Sequence, residues 1–166
     1  LWKIELQRLA TELGIDIAAE LKQKGYWFSD GMQSMPAGVK RAVVLTDDAD
    51  FDIAAATRTA IDILSRNPKG FFLMVESDLH TDKLQRGLER VPVFDRLIAE
   101  TVKKVREDTL VIFTADHSFD LRIGPNLPKG QPLLTMGADG KTVASKGLVV
   151  NAYHTGEQVL VAADGP

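Results

Sequence analysis

Asn67-Pro68-Lys69-Gly70-Phe71-Phe72-Leu73-Met74-Val75-Glu76 combines a helix stop, an apolar run and a terminal carboxylate. The run from Phe71 to Val75 is apolar on both parities, which suits a strand covered on both faces, as in a parallel sheet flanked by helices. Upstream, Ile53, Ala56, Ala60, Ile61 and Leu64 form the apolar stripe of a helix predicted from about Asp52 to Arg66. Downstream, Leu84, Leu88, Val91, Phe94, Ile98, Val102 and Val105 mark a long helix over residues 83–106, which Pro92 is expected to bend or divide. A second buried-type strand, Thr109-Leu110-Val111-Ile112-Phe113, follows it.

The flanks are more ordinary. Trp2, Leu6, Leu9 and Leu13 have helical spacing ahead of Gly14, and a short helix from Ile17 to Lys24 leads into an apolar strand, Tyr26-Trp27-Phe28. Residues 30–50 read as loop with a strand insert from Arg41 to Leu45. Residues 118–147 are rich in Gly and Pro and read as loop with one hairpin, and Leu148–Val150 and Val159–Val161 read as closing strands. Strand–helix–strand alternation predicts an α/β class with helices on both sheet faces. The chain opens at Leu1 and stops just past a strand, so it reads as an interior segment of a longer protein.

At 166 residues and 45% hydrophobic, the chain has material for one sizeable core or part of a larger one. Its net charge of −3 argues against electrostatic nucleic-acid binding. No apolar run approaches the roughly 18–20 residues of a membrane span. The absence of cysteine excludes a disulfide framework and a thiolate zinc site.

All three histidines stand close to carboxylates: His80 in Glu76-Ser77-Asp78-Leu79-His80-Thr81-Asp82, His117 beside Asp116, and His154 in His154-Thr155-Gly156-Glu157. Imidazole and carboxylate without thiolate is the ligand set of a hydrolytic zinc site. Glu76 directly follows one buried-type strand, and Asp116 follows the other after two small residues. In open α/β sheets ligands collect at such strand ends. If the backbone stays extended past Val75, Glu76, Asp78 and His80 share one side at intervals of about 6–7 Å, a spacing for two neighbouring metals. Asp82 has the same parity and stands as a reserve ligand. Each string also has a plainer reading, since Asp and Ser are common helix caps.

The string from Asn67 to Glu76, together with Thr114-Ala115-Asp116-His117-Ser118 and His154-Thr155-Gly156-Glu157, resembles the metal-site segments of the alkaline phosphatase family. Phe28-Ser29-Asp30-Gly31 and Phe94-Asp95-Arg96 are similar to that family too, in the same order. The resemblance implies a three-layer α/β/α sandwich with a mostly parallel sheet, residues 1–166 being the C-terminal part of one such domain. It implies two zinc ions and a magnesium ion serving phosphomonoester hydrolysis. Glu76 resembles the magnesium ligand, Asp116 and His117 the pair on the second zinc, and His154 a ligand of the first. The loop after Glu76 is shorter than the family's better-known pattern, leaving Asp78 and His80 as the substitutes for the remaining first-zinc ligands and Asp82 as the alternative carboxylate.

None of Ser29, Ser77 or Ser118 occupies the family's nucleophile motif, so no catalytic residue is assigned here. A phosphodiesterase or sulfatase of the same superfamily, and a non-catalytic metal-binding domain, are the alternative readings. The resemblance further implies a small-molecule phosphate ester as substrate, a periplasmic or secreted location, and a homodimer.

Overall fold

The computed structural model of the protein describes residues 2–31, 35–48, 50–79, 84–124 and 127–166. Its elements are of the α/β class and fall into two compact units, Leu1–Val75 and Glu76–Pro166.

In the first unit, helix α1 (Trp2–Leu13) ends at Gly14, whose φ of 65° is a left-handed conformation that costs glycine little. Helix α2 (Ile17–Gln23) starts where the Asp16 carboxylate accepts the Ala19 N–H at 3.0 Å. Strands β1 (Trp27–Asp30) and β2 (Ala42–Leu45) pair in parallel, Trp27 opposite Ala42. A cleft of about 620 Å³, lined by Leu6, Ala10, Ile15, Ile17, Phe28 and Leu45 among others, opens between these elements. Helix α3 (Ile53–Leu64) is capped by Asp52, which accepts the Ala55 N–H, and it buries Ile61 and Thr57. Beyond it the Gly70 N–H donates to the Asn67 carbonyl at 3.0 Å, closing the turn read from Pro68 and Gly70.

The second unit is built on α4 (Leu84–Lys104). Pro92 does not divide this helix: proline removes one hydrogen bond to the preceding turn, and the rest of the ladder carries through. Gly87 and Leu97 are its buried residues, whereas Val91, from the expected stripe, is exposed. Gln85 clamps the helix to a hairpin of β5 (Leu134–Met136) and β6 (Thr142–Ala144): its amide donates to the Thr142 carbonyl at 2.6 Å and accepts the Ala144 N–H at 3.4 Å. Strand β3 (Val111–Thr114) pairs with β8 (Val161–Asp164), and its Phe113 lies 6.4 Å from Phe94 of α4. Strand β4 (Ser118–Ile123) pairs with β7 (Leu148–Thr155).

The α/β class holds, and the expected strand at Phe71–Val75 is corrected. The described strands form four separate two-stranded sheets, and β1–β2 is the parallel one; the other three pairs are antiparallel. Phe71–Val75 is not a strand in this structure, because a strand needs a ladder partner and none is present among the described residues. Its burial nevertheless alternates, with Phe72 and Met74 exposed at 86% and 75% while Leu73 and Val75 are half-buried. Strand β3 shows the same one-sidedness, Ile112 being exposed between half-buried Val111 and Phe113. Both-face apolarity is in the sequence, but a second covering layer is not in the described residues.

Candidate functional site

The β4–β7 ladder assembles the site. Residues 118–123 lie in the stretch expected as loop, yet Phe119, Leu121 and Ile123 alternate with Ser118, Asp120 and Arg122 in the period-two signature of a strand, and they form β4. Its antiparallel register sets Phe119 opposite His154 and Ser118 opposite Thr155. Asp116 and His117 sit at the junction between β3 and β4, and the ladder brings His117 beside His154.

The imidazoles of His117 and His154 stack face to face, with ring centroids 3.7 Å apart and planes 17° from parallel. The His117 Nδ1 lies 3.2 Å from the Ser118 carbonyl oxygen, which can only accept, so Nδ1 carries the proton and donates. The other nitrogen, Nε2, lies 3.1 Å from Asp116 Oδ2. With Nδ1 committed, Nε2 and the carboxylate face each other as two electron-rich atoms, and only a proton or a cation between them makes that contact favourable. The Asp116 Oδ1 accepts the His117 backbone N–H at 3.0 Å, which fixes the carboxylate's rotation. The Asp116 side chain is 78% exposed and that of His117 24%, so the pair opens to solvent on the carboxylate side.

A polar cluster that the sequence reading overlooked braces the ladder where its register shifts, between Phe119 and Leu121. Asp120 accepts from Arg122 Nε at 2.7 Å and from Asn151 Nδ2 at 3.1 Å. The Arg122 hydrogen bond, then that of Asn151, holds the Asp120 carboxyl below its usual range, and Arg122 is stabilised as a cation in return.

The other expected ligands are placed differently. Glu76 and Asp78 are both exposed, while Ser77 and Leu79 between and after them are half-buried, so the two carboxylates keep the shared side expected of an extended segment. Arg90 of α4 donates to the Asp78 backbone carbonyl at 2.8 Å. His80 and Asp82 lie outside the described residues. Among the described residues no three histidine or carboxylate side chains converge on one metal position, whether Asp116, His117 and His154 together or any of them with Glu76 and Asp78.

Comparison with known proteins follows the same segments. Residues 35–166 match the family model described as alkaline phosphatase. The chain is 39% identical over 80 residues to the tissue-nonspecific alkaline phosphatase of Homo sapiens, covering 45% of this chain and 15% of that protein. It is 37% identical over 90 residues to the Felis catus tissue-nonspecific isozyme, covering 51% of this chain and 17% of the relative. Against an alkaline phosphatase of Gadus morhua it is 28% identical over 127 residues, 73% of this chain and 27% of the relative. The chain therefore matches between 15% and 27% of the length of these relatives. No solved structure matches it significantly.

Proposed function

This chain belongs to the alkaline phosphatase family, and on that premise we propose that it forms part of a metal-dependent phosphomonoester hydrolase. The observation that carries the reading is the Asp116–His117 pair with the His154 ring stacked on it. Donors of one tetrahedral zinc, each about 2.0–2.1 Å from the ion, lie about 3.3 Å apart. The 3.1 Å between Asp116 Oδ2 and His117 Nε2 fits that spacing, and the Ser118 carbonyl favours the tautomer whose ring lone pair lies on Nε2, facing Asp116. Imidazole lone pairs lie in the ring plane, so two face-to-face rings address two neighbouring cations rather than one. Their 3.7 Å separation suits a two-metal site, where the ions stand about 3.5–4 Å apart.

We assign Asp116 and His117 to one zinc, and His154 with Asp78 and His80 to the other, Asp82 being the alternative carboxylate. Glu76 is assigned to magnesium. The chemistry such ions supply when bound is activation of an oxygen nucleophile and neutralisation of charge on the phosphoryl group and its leaving oxygen. The residues of this chain hold and orient: Asp116 contributes negative charge, His117 and His154 contribute neutral donors in fixed planes, and Phe119 excludes water from one side. The attacking group is proposed to lie outside this chain, as none of its serines stands in the family's nucleophile motif.

The same reading extends to the fold. Phe72, Met74, Ile112 and Val161 are exposed apolar residues on segments that the three-layer sandwich would cover, with this chain as the C-terminal part of that single domain. A small-molecule phosphate ester is the proposed substrate class, a homodimer the proposed assembly, and the periplasm or the cell exterior the proposed location. Among the described residues no helix is long and apolar enough to cross a membrane.

A steady-state comparison of a phosphate monoester, a phosphate diester and a sulfate ester on the intact protein tests the reaction. Dominant monoester turnover is expected, and dominant sulfate or diester turnover replaces it with the corresponding esterase. Stoichiometric zinc with no hydrolysis of any ester would make this a binding domain.

A further inference from the structure

His117 and His154 are held unequally. His117 has the Ser118 carbonyl on one nitrogen and Asp116 against the other. His154 is exposed, and among the described residues no hydrogen bond reaches its ring nitrogens; its ring is held by ring contacts to His117 and Phe119. Phe119 sits opposite His154 in the ladder and makes T-shaped contacts with both imidazoles, 5.4 Å and 89° from His154, 4.9 Å and 74° from His117. It is nearly equidistant from two rings stacked 3.7 Å apart, so it flanks the stack along its side instead of extending it. Edge-to-face packing of this kind sets ring orientation, because the positive edge of one ring meets the negative face of another.

We propose that Phe119 is a positioning residue that clamps the His154 imidazole parallel to His117, so that the two rings present their lone pairs to neighbouring cations as one preorganised unit. The inference rests on the two-cation reading above. It carries an asymmetry: without Phe119, His117 keeps its hydrogen bond and its carboxylate, whereas His154 keeps only the stack.

The test uses the intact protein with zinc as the probe. Phe119→Leu keeps an apolar side chain on β4 but removes the aromatic edge and face. Competition with a chromogenic chelator should show the more weakly held zinc loosened about tenfold and the tighter one changed less than about twofold. Phe119→Tyr should restore both. In a His154→Ala background, Phe119→Leu should have no further effect, since the residue it orients is gone. Proton spectra of the metal-free protein supply a readout independent of zinc: the His154 ring protons should lose their aromatic shift in Phe119→Leu and regain it in Phe119→Tyr. Phe119→Met replaces Phe119→Leu if circular dichroism shows that variant unfolded. Wild-type zinc affinity in the folded variant, or an undiminished effect in the His154→Ala background, overturns the proposal and leaves the metal reading standing. A wild-type protein that binds no zinc overturns both.

Discussion

The β4–β7 ladder and the segment from Phe71 to Asp78 carry the same chemistry in opposite states of support. In the ladder, backbone pairing, a carbonyl acceptor and three ring contacts hold His117 and His154 in one arrangement. Along the other segment Glu76 and Asp78 share an exposed side, but no strand pairs with them among the described residues. A ligand on a paired strand is preorganised before a metal arrives. One on a segment outside any strand ladder has fewer backbone bonds to hold it, so more of its ordering falls to the metal, at a cost in conformational entropy.

The sharpest way to break the comparison is at the ligands. His117→Ala should lower zinc affinity by more than the roughly 100-fold typical of outer-shell changes, and excess zinc should not restore activity. Asp78→Asn should cost about tenfold and be recovered by excess zinc, because that side lies outside the strand ladder that holds His117 and His154. Equal, unrescued losses in both variants would erase the distinction. Hydrogen exchange gives the next largest effect: in metal-free protein, amides of residues 72–79 should exchange more than about tenfold faster than those of 119–123, and adding zinc should slow the first group more. Similar protection in both segments would show that Phe71–Asp78 is paired after all.

A smaller change is expected at Arg90, whose guanidinium ties α4 to the Asp78 carbonyl. Arg90→Met should cost about 1 kcal/mol in thermal or denaturant unfolding and weaken zinc only modestly. The smallest effect is on acid stability. The Asp120 carboxyl is held below the ordinary aspartate value of 3.8 by Arg122 and Asn151. Because the folded-state pKa is the lower one, its contribution is present above about pH 3.8 and is lost as pH falls through the depressed value. Acid unfolding of Asp120→Asn should lack that component, and an unchanged acid limb would show that the cluster does not brace the register shift.

Much of the helical structure was legible because its signals are local. Asp16 and Asp52 cap the helices they precede, and Gly14 and Gly70 take the positive φ that ends a segment. Strand identity was less legible. Phe71–Val75 was read as buried on both faces from composition, yet in this structure Phe72 and Met74 face outward. Strand β4 was passed over because Gly and Pro dominate the stretch beyond it, although Phe119, Leu121 and Ile123 already alternate. The importance of Phe119 could not be read at all, because its role depends on a partner far along the chain.

By itself the sequence determined the donor inventory: three histidines beside carboxylates, no cysteine, and strings matching a family model over residues 35–166. Those are properties of residue type and short-range order. Only the tertiary structure decided that His117 stacks on His154, that Ser118 selects its tautomer, and that Phe119 and Asp120 flank and brace the pair. The physical reason is that helix bonds and caps close within four residues, whereas a strand's partner is chosen by long-range pairing. The register of β4 on β7 turns two separate motifs into one site.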